Sequence, residues 1–252
     1  MTVDILISLA LPFIGTLAGA ILAMFIRCAD KTKRILGAFG GGIMMAASVW
    51  SLIIPAIELS EPLAPFAFLP AVIGFLLGIF CMICTDILLY NIEGREVGFK
   101  KGTDMLSLAV TIHNFPEGMA LGAALGAVLN GAETSEITVM ALAFGIAMQN
   151  VPEGAIIVLP HTDKKARIHA FAESIGSAAT ETLGALLMIA LSGIIAPVLP
   201  YALAFAAGAM VYVVVEELIP EAKGYGIGKI SLGAIAFSIG FTLMMALDVA
   251  FG

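Results

Sequence analysis

Apolar residues run along this chain in stretches of about 20, separated by short polar turns, a pattern that leaves few folds open. Of the 252 residues, 60% are apolar and 12% charged, against about 25% charge in soluble domains. The stretches predict spans at about 5–26, 35–57, 68–91, 103–129, 137–160, 168–192, 198–218 and 230–250. Ser60-Glu61-Pro62 separates the second and third, Asn130-Gly131-Ala132-Glu133 the fourth and fifth, and Pro197 and Pro200 mark the break between the sixth and seventh. The basic residues test this layout. All 12 Lys and Arg fall in alternate connections: Arg27, Lys31, Lys33 and Arg34; Arg95, Lys100 and Lys101; Lys164, Lys165 and Arg167; Lys223 and Lys229. Positive charge marks the cytoplasmic side, so those connections face in and both termini face out. The expectation is one all-α integral membrane domain over 1–252. It has eight transmembrane helices, spans the cell (plasma or inner) membrane and is embedded in lipid.

The same composition excludes other classes. The net charge of −7 includes acids inside the spans, and no basic patch suggests a nucleic acid. The first apolar stretch lacks a basic leader and a small-residue cleavage site, so it is read as a retained span. Cys81 and Cys84 form C-x-x-C on a membrane helix and, like Cys28, are read as small apolar fillers.

Two strings break the apolar pattern at mid-depth: His113-Asn114-Phe115-Pro116-Glu117-Gly118, and Gln149-Asn150-Val151-Pro152-Glu153-Gly154 on the next stretch. Both read polar, Asn, apolar, Pro, Glu, Gly. His113 and Glu117 share one helix face, as do Gln149 and Glu153. Pro116 and Pro152 each remove a backbone N–H, which predicts broken or kinked helices, a recurring way to build ion sites in membranes. Glu181 and Met44 lie near the same depth in the sixth and second stretches. Ionisable groups there are costly and call for a partner or a task. No Lys or Arg lies in any span, so Glu117, Glu153 and Glu181 must carry protons or a bound cation. A thioether with imidazole favours zinc, cadmium or iron(II) over magnesium or calcium; by spacing alone Met44 is core more often than ligand. Glu58 and Glu61 mark an outer mouth. Glu216, Glu217, Glu221, His161, Asp163 and His169 gather near the inner side. Asp86, Glu173 and Asp248 also lie in or near spans.

At these residues the chain resembles the ZIP (Zrt-, Irt-like protein) family of divalent metal transporters, in its GufA-like branch. The matching stretches are HNFPEGMALG (113–122), QNVPEG (149–154), the Glu181 segment, GGIMMAASVWSLIIPAIE (41–58) and VYVVVEELIPEA (211–222). The resemblance implies a binuclear metal site between the fourth and fifth helices. One metal would take His113, Glu117, Gln149, Glu153 and Met44. The other would take Asn114, Asn150, Glu117, Glu153 and Glu181. It also implies movement of zinc, with cadmium, iron and manganese, into the cytoplasm, by an elevator-like motion of one helix group. A 3+2+3 arrangement with inverted repeats follows from it too. No cofactor is implied beyond the transported ion, and a homodimer is admitted. Two departures stand out. Gln149 replaces a His common in the family, which relaxes zinc selectivity. Asn150 replaces an Asp of some relatives, which removes a charge from the second position.

Two other classes compete. A proton-coupled metal exporter would use the same buried acids. An intramembrane metalloprotease would need a water-activating Glu beside an open metal position; its H-E-x-x-H signature is absent.

Overall fold

The computed structural model describes residues 2–26, 30–93, 99–129, 136–222, 226–227 and 230–251; His113, Glu217 and Glu221 are described by their backbone alone. Arg27, Cys28, Arg95, Lys223 and Lys229 lie outside the described residues. The described chain is helical apart from a two-residue β-ladder, Gly226–Ile227 against Ile230–Ser231. The helices are α1 (Thr2–Phe25), α2 (Asp30–Ala47), α3 (Ile54–Glu58), α4 (Phe68–Glu93), α5 (Phe99–Leu129), α6 (Glu136–Val158), α7 (Lys164–Ile195), α8 (Leu199–Val213), α9 (Ile219–Ala222) and α10 (Leu232–Phe251). Two π-helical segments, Ser48–Ile53 and Val214–Leu218, fuse α2 with α3 and α8 with α9 into continuous rods. Rods therefore run over 2–25, 30–58, 68–93, 99–129, 136–158, 164–195, 199–222 and 232–251, close to the stretches read from hydropathy.

Five of these rods contain a helix long and apolar enough to cross a membrane: Asp4–Phe25, Arg34–Glu58, Phe68–Ile87, Leu199–Glu216 and Leu232–Ala250. A shorter apolar stretch, Leu142–Val158, lies in α6. The polarity is inverted relative to a soluble bundle. Leu69, Val72, Leu76, Leu77 and Phe80 on α4 are exposed, while Asn114, Glu117, Asn150, Glu153 and Glu181 are buried. Such a surface suits hydrocarbon, and the polar groups must then be satisfied within the bundle.

The helices pack as pairs: α1 on α6, α5 on α7, α2 on α10 and α4 on α8. The first two pairs join through α1–α7, α5–α6 and α6–α7, and the last two through α2–α8. Glycines set the distances, because close backbone contact leaves no room for a Cβ. These contacts come in matched sets. Gly154 lies against the Thr16 backbone and Gly19 against that of Val151; in the same way Gly118 lies against Glu181 and Gly184 against Phe115. Gly42 meets the Phe237 carbonyl and Gly240 that of Phe39, while Gly208 meets Phe75 and Gly78 meets Phe205. One spacing relates Thr16 to Glu181 and Gly19 to Gly184. Another relates Phe39 to Phe205, Gly42 to Gly208, and the first π residue Ser48 to its counterpart Val214.

Three expectations change. Pro116 and Pro152 break neither helix, each sitting inside an α-helix that runs on past it; the irregular turns are the π segments, where Ile54 N–H reaches Val49 O and Ile219 N–H reaches Val214 O. Each lies just before a proline, Pro55 or Pro220. Arg167, read as a loop residue, lies in α7 and is buried. Its Nη2 donates to Ala23 O and, at 2.9 Å, to Ile26 O, closing the C-terminal end of α1. Cys81 is half-buried and Cys84 exposed, both as free thiols, so Cys84 fills no core.

Candidate metal centre

α5, α6 and α7 bring the two motifs and the Glu181 segment together in the interior. Glu117 is 3% exposed, Gln149, Glu153 and Glu181 each 2%, and Asn114 and Asn150 0%. One hydrogen bond ties the motifs together across helices, and others tie them to α7 and α1. Gln149 Nε2 donates to Glu117 Oε1. Asn150 Nδ2 donates to Glu181 Oε2 at 2.7 Å and to Pro12 O, on α1, at 3.3 Å. Asn114 Nδ2 donates to Ser177 Oγ on α7 at 3.0 Å. Glu117 and Glu153 are both charge neighbours of Glu181.

The pattern of donors and acceptors is one-sided. Asn114 spends an N–H on Ser177, while Asn150 shares its N–H groups between Pro12 O and Glu181 Oε2. Asn114 Oδ1, Asn150 Oδ1 and Glu181 Oε1 are buried with no hydrogen-bond partner among the described residues. A buried oxygen without a donor is costly, of order 1–3 kcal/mol, and a cation bound there would supply the missing partner. No Lys or Arg occurs between Lys101 and Lys164 or between Arg167 and Lys223, so these helices bring no cationic side chain to that depth. Among the described residues no trio of His, Cys, Asp and Glu alone closes on one point. The donors here are carboxylates mixed with amides, and the His113 side chain lies outside the described residues.

Met44 is 1% exposed in the main apolar core. It lies on α2, which packs on α6 and α8. Ser48 Oγ donates to its carbonyl at 2.7 Å, at the start of the first π segment. A cavity of about 450 Å³ opens beside the centre and is lined by Ser51, Glu58, Glu117, Gln149 and Asp248 among others. Ser51 Oγ donates to Asp248 Oδ1 at 2.6 Å. Glu58 and Asp248 are thus joined to the motif residues by one space, whereas His169 pairs with Glu173 at 3.2 Å on a separate, more exposed part of α7. The Glu217 and Glu221 side chains lie outside the described residues. Sequence reasoning missed Ser51 and Ser177. The available signal was helical spacing: Ser51 lies two turns beyond Met44, and Ser177 one turn before Glu181.

A helical bundle that is apolar outside and gathers carboxylates and amides within, with no cationic side chain at that depth, defines a polytopic membrane protein with a buried polar centre. Comparison with known proteins carries the assignment further. The family model described as ZIP Zinc transporter matches residues 98–248. Zinc transporter ZIP11 of Xenopus tropicalis is 33% identical, over 94% of each chain. Zinc transporter ZIPB of Bordetella bronchiseptica is 31% identical, over 95% of this chain and 79% of its own. Zinc transporter GufA of Myxococcus xanthus is 33% identical, over 81% of each. The chain belongs to the ZIP family of metal transporters, in its GufA-like branch. It is a multi-pass membrane transporter and not an enzyme.

Proposed function

We propose that this chain moves zinc into the cytoplasm, and cadmium, iron(II) and manganese less selectively, through a binuclear site within its bundle. The observation that carries the reading is the burial of Glu117, Glu153 and Glu181 among amides, with Asn114 Oδ1, Asn150 Oδ1 and Glu181 Oε1 left without a hydrogen-bond partner among the described residues. Zinc is also the ion in the printed names of the relatives. The first metal takes His113, Glu117, Gln149 and Glu153, with Met44 from α2. The second takes Asn114, Asn150, Glu117, Glu153 and Glu181, an all-oxygen set that suits harder ions. To ligate the first metal, Gln149 must turn its oxygen inward and give up its hydrogen bond to Glu117.

Alternating access is proposed as an elevator. Every donor except Met44 lies on α5, α6 or α7, which pack with α1 into one group; α2, α4, α8 and α10 form the other, and α5 packs on α8 across the boundary. Displacing the first group against the second would carry the site from one side of the membrane to the other. The matched glycine contacts support a 3+2+3 inverted repeat, in which the first three rods correspond to the last three around the α5–α6 pair. In this reading eight rods span the plasma or inner membrane and both termini face out. The Glu58–Asp248 cavity is then the outer approach, and two copies associate as a homodimer.

The test is competitive uptake in proteoliposomes of known sidedness, offering zinc, cadmium, iron(II) and manganese together. Accumulation in the cytosolic direction, zinc foremost, supports the reading. Accumulation in the opposite direction would make the chain an exporter.

A further inference from the structure

We propose that Ser177 is a positioning residue of the cation site: it holds the Asn114 amide by its nitrogen and thereby aims the oxygen at the metal. The inference rests on the reading of Asn114 as a ligand and names what makes it one. An Asn amide can present either oxygen or nitrogen to a site, and only the oxygen can ligate a cation. Asn114 is 0% exposed and Ser177 1%, and the Nδ2–Oγ distance is 3.0 Å. The Asn114 oxygen is then left buried and without a hydrogen-bond partner among the described residues.

The other half of the molecule repeats this arrangement with a different acceptor. Asn150, the counterpart of Asn114 in the second motif, donates its nitrogen to Pro12 O on the paired helix at 3.3 Å and to Glu181 Oε2 at 2.7 Å. Its oxygen is buried and unpartnered in the same way. The spacing from Pro12 to Ser177 is the one that relates Thr16 to Glu181 and Gly19 to Gly184 in the matched glycine contacts. Position 12 and position 177 are therefore equivalent stations on α1 and α7, each receiving an Asn nitrogen from its paired helix. A backbone carbonyl can only accept, and with the Glu181 carboxylate it holds Asn150 by its nitrogen. A serine hydroxyl can accept or donate, and on the α7 side it takes the acceptor part that the carbonyl takes on α1.

The experiment measures cadmium and manganese binding to the purified full-length protein by calorimetry. It compares wild type, Asn114→Ala, Ser177→Ala, Ser177→Thr and the double variant Asn114→Ala/Ser177→Ala. Groups that orient metal ligands typically contribute about 10–100-fold in affinity. Ser177→Ala is expected to weaken the weaker of the two binding steps by roughly that factor, and Ser177→Thr, which keeps the hydroxyl, to restore it. The double variant is expected to bind no worse than Asn114→Ala alone, since Ser177 acts through Asn114. Should Ser177→Ala fail to fold, Ser177→Cys replaces it, with similar volume and a poor acceptor. If Asn114→Ala weakens binding and removal of the Ser177 hydroxyl does not, the positioning role is wrong and the site reading survives. If the serine variant weakens binding equally with and without Asn114, Ser177 acts through packing and the proposal is overturned. If neither variant changes binding, Asn114 is no ligand and both fall.

Discussion

The contact between Gln149 and Glu117 shows how a single residue sets the chemistry of this site. The amide N–H of Gln149 satisfies one Glu117 oxygen, which is the service a bound cation would provide. Metal binding must displace that hydrogen bond, and the ligand gained in return is a neutral amide oxygen. Imidazole nitrogen is softer and suits zinc better. Gln149→His is therefore expected to raise zinc over manganese in competitive uptake by roughly tenfold, equivalent to about 1.4 kcal/mol; an unchanged ratio would show that residue 149 does not read the ion. The doubled motif made the mid-depth placement of Glu117, Gln149, Asn150 and Glu153 legible from sequence, because Asn-x-Pro-Glu-Gly recurs in two neighbouring apolar stretches. Ser177 was not legible. A serine in a membrane helix normally returns its hydroxyl to its own backbone, as Ser48 and Thr111 do here, and only the fold reveals which serine faces an amide.

At the scale of elements, the fold depends on backbone contacts that tolerate no added atoms. A methyl at Gly154 would collide with the backbone of Thr16. α1 would then have to move away from α6, or its side chains leave their rotamers. Gly154→Ala is expected to destabilise the protein by about 1–3 kcal/mol, read as a lower Tm by fluorescence-detected size exclusion. Gly176→Ala is the control: a methyl there meets nothing within 4 Å, and Ala favours helix over Gly, so the Tm should hold or rise. Arg167→Ala removes a guanidinium donor from two carbonyls at the end of α1. Hydrogen bonds of that kind contribute about 1.5–3 kcal/mol, so the Tm should fall, and an unchanged value would show that the contact stabilises nothing. Hydropathy placed the rods within a few residues because burial in lipid depends on length and composition. It missed the π segments, since Pro55 and Pro220 only mark a lost N–H and do not say whether the helix kinks, ends or widens its turn. Pro116 and Pro152 carry the same mark inside unbroken α-helix.

For the whole molecule, the account requires one group of helices to move past another while the site travels with it. Ser51 lies on the α2–α3 rod and Ala120 on α5, and both line the cavity between the groups. In a background without native cysteines, Ser51→Cys and Ala120→Cys bridged by a flexible bis-maleimide should still bind metal but carry none across. Undiminished flux after complete bridging would rule out relative motion of the groups. The two-group division was not legible in the sequence, because glycine spacing marks a close contact without naming the partner helix. The central claim is that the buried cluster of carboxylates and amides is the path of the ion, and Glu117, which accepts a hydrogen bond from Gln149, tests it most directly. Zinc binding and zinc flux would be measured on the same reconstituted preparation of wild type and Glu117→Ala. The account predicts that wild type binds and moves zinc, while the variant inserts normally and does neither. Wild-type flux through Glu117→Ala would place the ion path elsewhere.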